Sequence, residues 1–137
     1  MKRVGFLMCA VMLAACGPST ETVNVLGTPA SQATDGKVVL EPQPDFGNAH
    51  ISLELTHVTP PERLSAPAHF FIVWQKIGSN SYQIGQLDYD AEKREARFEG
   101  SVLSGPFELI VTAESSARPQ QPSAQMLLVK TMHGEGG

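Results

Sequence analysis

From Lys37 onward, apolar and polar residues alternate with a period of two, the mark of strands that bury one face. Lys37 to Glu41 is the first such run, and Pro42-Gln43-Pro44 stops it, because residues without an N–H end ladder pairing. Ala49 to Val58 is cleaner: Ala49, Ile51, Leu53 and Leu55 share one face, and His50, Ser52, Glu54 and Thr56 share the other. A slip of one residue would put those apolar side chains in water, so the register of this strand is well specified. Ala68 to Lys76 is apolar on both parities, with Phe70, Ile72 and Trp74 on one and Phe71 and Val73 on the other, so it must be covered on both sides. It is the predicted centre of the fold, with Trp74 the principal core aromatic; the competing reading of Trp74 is an exposed platform for a sugar or peptide.

Gly78-Ser79-Asn80-Ser81 is a turn by composition and leads into Tyr82 to Tyr89, where the apolar parity switches at Gly85 as a β-bulge would make it. Asp90-Ala91-Glu92-Lys93 forms the next turn. Glu95 to Gly100 then buries Ala96 and Phe98, Phe107 to Ala113 buries Phe107, Leu109, Val111 and Ala113, and a last strand runs through Met126 to Thr131. Pro60-Pro61 and Pro67 bracket one loop, and Ser115 to Ser123 is too polar and proline-rich for a strand. The latter reads as a long exposed loop, either a plain connection or a binding segment. Short strands with frequent turn signals and no helical stripe predict an all-β fold: an antiparallel β-sandwich, immunoglobulin-like, of six or seven strands over residues 37–132, with 133–137 a disordered tail.

The first residues follow a different rule. Lys2 and Arg3 precede an apolar run from Val4 to Leu13, and Leu13-Ala14-Ala15-Cys16 closes it. The run is shorter than the ~20 residues a membrane-spanning helix needs. This arrangement resembles a bacterial lipoprotein signal peptide, with residues 1–15 removed. The resemblance implies that the Cys16 thiol is alkylated by a diacylglycerol, that the peptide is cut before it, and that the freed amine is acylated. A thiol suits that role because it is a good nucleophile at neutral pH. Gly17 occupies the position where Asp retains many Gram-negative lipoproteins in the inner membrane, so the implied destination is the outer membrane, facing the periplasm or the cell surface.

Residues 16–36 are rich in Ser, Thr, Gly, Pro and Ala without an aromatic residue, and read as the lipidated cysteine followed by a flexible tether. The alternative is that Val23-Asn24-Val25-Leu26 already forms a first strand. Removal of residues 1–15 leaves 122 of the 137 residues, one domain of common size. It also takes Cys9 away, so Cys16 is the single remaining thiol and the fold must be held by an apolar core without a disulfide. The loss of Lys2 and Arg3 leaves 8 basic against 14 acidic residues, a net charge of −6. Such a surface does not track phosphates, which argues against a nucleic-acid partner.

The order of features from Ala49 resembles the extracytoplasmic β-sandwich domain of anti-sigma-K-type factors, also met as a separate module in bacterial lipoproteins. The matching pieces are the Ala49 to Leu55 strand, Phe70-Phe71-Ile72-Val73-Trp74-Gln75, Ile84-Gly85-Gln86-Leu87-Asp88, Phe107 to Glu114, and a proline segment through Pro119 and Pro122 before Met126-Leu127-Leu128-Val129. The sigma-binding segment and transmembrane helix of the full factors have no counterpart here, so sigma sequestration is not implied. What the resemblance implies is a sandwich domain outside the cytoplasm, with no catalytic residues to transfer.

Candidate chemistry is sparse. His50, His57, His69 and His133 show no zinc-type spacing. Asp88, Asp90 and Glu92 form a D-x-D-x-E run, either a calcium ligand set of hard oxygens or an acidic hairpin turn. Glu54 and Glu108 are the carboxylates to test for a facing pair, but both alternate with core residues and point outward, where unshifted acids are poor general acids. No G-x-S-x-G elbow is present. The sequence therefore predicts a non-enzymatic lipoprotein without cofactor or metal, held to the membrane through Cys16 and meeting a protein partner in the cell envelope. The alternative is a module that recognises a peptide, a glycan or calcium through its Pro60 to Pro67 and Ser115 to Ser123 loops.

Overall fold

The computed structural model describes residues 20–134. Nine strands form two antiparallel sheets: β1 (Glu21–Leu26), β2 (Asp35–Gln43), β3 (Asn48–Thr56), β4 (Phe70–Ile77), β5 (Asn80–Gln86), β6 (Asp88–Asp90), β7 (Glu95–Leu103), β8 (Phe107–Glu114) and β9 (Met126–Met132). One sheet has the order β1-β2-β3-β7-β6 and the other β5-β4-β8-β9. Leaving β1 aside, this is the A-B-E-D against C′-C-F-G arrangement of an immunoglobulin-type sandwich. β1 is an additional edge strand beside β2.

The strands with clean alternation form as their pattern demands. Ile51, Leu53 and Leu55 of β3 face Phe71 and Val73 of β4 and Leu109 and Val111 of β8 across the interior, all of them buried. β3 and β8 occupy the places that carry the cysteines in antibody domains, and aliphatic packing replaces that disulfide here. Gln75 is the one polar residue on the inward parity of β4. Its amide accepts from the N–H of Leu103 and donates to the carbonyl of Leu103, each at 2.9 Å, so the side chain ties the end of β7 to the opposite sheet.

Several boundaries differ from the sequence expectation. The stretch expected as a tether is structured from Glu21: β1 pairs with β2 over six residue pairs, and a 3-10 turn at Pro29–Ser31 follows. Val25 is buried and the Thr28 N–H donates to the Leu127 carbonyl, which closes that side of the sandwich. β2 runs through Pro42 instead of stopping before it. Beyond Leu40 the β1 ladder has ended, leaving an edge of the kind that tolerates proline. The expected 82–89 strand is two: Ile84 is the extra residue of a bulge opposite Val73 and Trp74, and past Leu87 the chain leaves the second sheet to pair as β6 with β7 in the first. Six or seven strands therefore become nine. His133 and Gly134, expected in the tail, are held by backbone bonds to the Glu21 carboxylate, and Gly105 donates to the Gly134 carbonyl.

Trp74 is 1% exposed, as a core residue should be, but it does not lie between the sheets. It packs with Ile72 and Ile110 on the outer face of the second sheet, flanked by Phe70 and Met126. The cover comes from residues 115–125, where Ala117, Pro119, Pro122 and Ser123 are half-buried. Gln83 donates to the Ala117 carbonyl at 3.0 Å, and the Ser123 hydroxyl donates to the Ala113 carbonyl at 2.9 Å. Beneath the loop a continuous relay satisfies the buried polar groups: Trp74 Nε1 donates to Thr112 Oγ1, which donates to Glu114 Oε2, which also accepts from the Ser123 N–H. The proline-rich segment is thus an irregular lid laid on the sheet, not a free loop.

Candidate functional site

Cys16, the predicted lipidation site, and residues 1–15, the predicted signal peptide, lie outside the described residues. What the structure adds is where the chain arriving from Cys16 enters the fold. Glu21 opens β1 at the end of the sandwich that also carries the β2–β3 turn, the β4–β5 turn, the β7–β8 turn and Gly134. The opposite end carries the short helix α1 (Pro61–Leu64), the β6–β7 turn and the point where the 115–125 segment leaves β8.

The acidic run does not converge. Asp88 lies opposite Arg97, which lies opposite Glu54, which lies opposite Lys37, so a row of alternating charge crosses four strands. Asp90 is used by its own turn, its Oδ1 accepting from the N–H groups of Glu92 at 3.0 Å and Lys93 at 3.2 Å. A surface cleft of about 400 Å³ opens above this row, but Lys93 and Arg97 stand among its carboxylates. Among the described residues, no group of three or more His, Cys, Asp or Glu side chains is placed to hold a metal ion.

The histidines are dispersed. His50 meets Glu99 at 3.3 Å, His57 meets Asp35 at 3.3 Å and His69 meets Glu62 at 3.7 Å, each on a different part of the surface. Hydrogen bonds from Thr56 and His57 hold the Asp35 carboxyl below its ordinary range. That contribution to stability is present above the ordinary carboxylate range and is lost as pH falls through the lowered value. Glu54 and Glu108 do not face each other, since they sit on different sheets and Glu108 pairs with Lys76 at 3.8 Å.

The two loops expected to act together do not form one site. Pro60 to Pro67 folds into α1, with Pro61 buried and Leu64 packed against the core. Tyr89 braces this corner: its hydroxyl donates to the Val58 carbonyl at 3.1 Å, its ring meets Phe71 edge to face, and burial raises its phenol above the ordinary value. The 115–123 segment instead turns across the second sheet until Gln120, Gln121 and Pro122 border the β4–β5 turn.

Sequence reasoning missed Phe46. It is 80% exposed, with Leu103 53% exposed at the same end of the sandwich. The available signal was an aromatic residue between Pro44-Asp45 and Gly47, where turn formers leave it no core to enter. Among the described residues, no helix is long and apolar enough to cross a membrane. No family model, no curated protein and no solved structure matches the chain.

Proposed function

We propose that this chain is a bacterial lipoprotein, anchored through acylated Cys16, that displays a non-enzymatic β-sandwich for contact with another protein of the cell envelope or for a structural role there. The observation that carries this reading is the order Lys2-Arg3, the apolar run to Leu13, then Ala14-Ala15-Cys16, followed within five residues by the first strand of a folded domain. Triple acylation would make the attachment permanent, since each buried CH₂ contributes ~0.8 kcal/mol and one chain alone binds only reversibly. The immunoglobulin-type strand order is compatible with the resemblance to the extracytoplasmic domain of anti-sigma-K-type factors, and with a place outside the cytoplasm.

The dispersed histidines, the charge-compensated acidic row and the separation of the two loops support display over ligand recognition. With Glu21 at the anchored end, α1, the β6–β7 turn and the exposed Leu26 form the end directed away from the lipid and open to a partner. Proximity labelling from a tag in the β6–β7 turn tests this. The expected result is enrichment of envelope proteins, lost when residues 1–16 are deleted so that the domain is no longer exported; enrichment of cytosolic proteins by the full chain would overturn the reading.

A further inference from the structure

We propose that the end of the sandwich bearing the β2–β3 turn and Leu103 docks against the lipid bilayer, with Phe46 set among the headgroups; the proposal rests on the anchor at Cys16. Two lengths make the case. Leu40 of β2 stands opposite Glu21, and β2 continues through Glu41, Pro42 and Gln43, which carries it about 10 Å past that level at the usual strand rise. The turn with Phe46 lies beyond. Five peptide steps separate Glu21 from Cys16, and they span at most ~17 Å whichever way they run. A bilayer holding the acyl chains of Cys16 therefore lies within a few ångströms of the hairpin tip even when the connecting residues are at full stretch, and any slack brings the two into contact.

The surface at that end suits such a contact. Phe46 is the most exposed large hydrophobic side chain among the described residues, and Leu103, opposite Asn48 at the base of the same hairpin, is half exposed. Asp45 beside Phe46 keeps the tip at headgroup depth and out of the hydrocarbon, a setting where aromatic side chains are favoured. The net charge of −6 gives no attraction to anionic lipid, so the apolar tip and the short connection carry the docking. The consequence is a fixed orientation: the sandwich stands end-on, with α1 and the β6–β7 turn directed outward.

The test uses the mature, acylated protein purified from membranes and reconstituted in vesicles of phosphatidylethanolamine with a minor fraction of phosphatidylglycerol. Cys16 has no free thiol once acylated, so Gln43→Cys or Glu92→Cys supplies a single site for an environment-sensitive fluorophore. Lipids carrying a nitroxide near the headgroup are expected to quench the label at position 43 several-fold more than the label at 92, and Phe46→Ser in the Gln43→Cys background should reduce that difference. Equal quenching at the two positions, in protein that floats with the vesicles, would overturn the docking while leaving the anchor intact. Protein that does not float would overturn the anchor and the docking with it.

Discussion

Cys16→Ser is expected to eliminate incorporation of radioactive palmitate and to leave a precursor that still carries residues 1–15. The physical reason is the nucleophile. A thiol ionises near neutral pH and its thiolate attacks readily, whereas a serine hydroxyl without an adjacent base does neither. The precursor keeps Lys2, Arg3 and the apolar run to Leu13, so any lipid affinity left to it comes from that uncleaved segment and not from acyl chains. The described fold starts at Thr20, so the same variant is expected to melt at the temperature of the parent. Labelling and mobility identical to the parent would overturn the anchor. A lowered melting temperature would show that the substitution acts through folding instead.

Trp74→Ala is the second large effect, with an expected loss of ~3–5 kcal/mol of stability, read as a fall of roughly 10–20 °C in melting temperature by far-ultraviolet circular dichroism. Because Trp74 lies on the outer face of its sheet, the loss has a distinctive signature. The indole supports the 115–125 segment from beneath and donates to Thr112 in the relay that reaches Glu114 and Ser123. Removing it leaves a void under the lid, so cleavage within residues 115–125 by a protease of broad specificity such as subtilisin should accelerate before the sheets themselves unfold. Trp74→Phe keeps most of the apolar volume but not the donor, and should cost less. Unchanged melting of the alanine variant would place Trp74 in contact with solvent.

The parts of this fold that are legible in the sequence are those whose burial differs between faces. β3 and β7 alternate because one side meets the core, and β4 shows two apolar parities because it is covered twice, by the opposite sheet and by the lid; β8 is covered twice as well, but its second face carries Thr112 and Glu114 and so still reads as alternating. The sequence does not say what the second cover is, since Ser115 to Ser123 is polar and only Ala117, Pro119, Pro122 and Ser123 are half-buried. β1 corresponds to the alternative first strand at Val23 to Leu26, and the tether is the preferred reading of the sequence because an edge strand with Thr22 and Asn24 outward, set among glycine and proline, dilutes its own pattern. The extension of β2 through Gly36 and Pro42 is imposed by pairing with β3, which overrides local preference. At Gly85 the parity switch is visible, but the passage to the other sheet is a tertiary event. Phe98 fills the space above Gly85 and Gly100, where a Cβ on either glycine would fall on its ring.

For function the balance is reversed. Cys16 rests on sequence alone, whereas Phe46 becomes meaningful only once the structure places it at the end where the chain from Cys16 arrives. The structured β1 also shortens the tether. About 20 flexible residues would give a root-mean-square reach of ~25 Å, but with β1 formed only residues 17–20 lie between Cys16, the proposed lipidation site, and the domain. A lipoprotein so connected holds its sandwich close to the membrane and presents one end of it outward.

The most direct measurement is intact-mass and peptide mass spectrometry of the protein recovered from the membrane fraction of its own cells. The account predicts a chain that begins at Cys16, with a diacylglyceryl thioether on its sulfur, an acyl group on its amine, and Gly17 following unmodified. A chain that begins at Met1 and comes from the soluble fraction, with an unmodified Cys16, would contradict it.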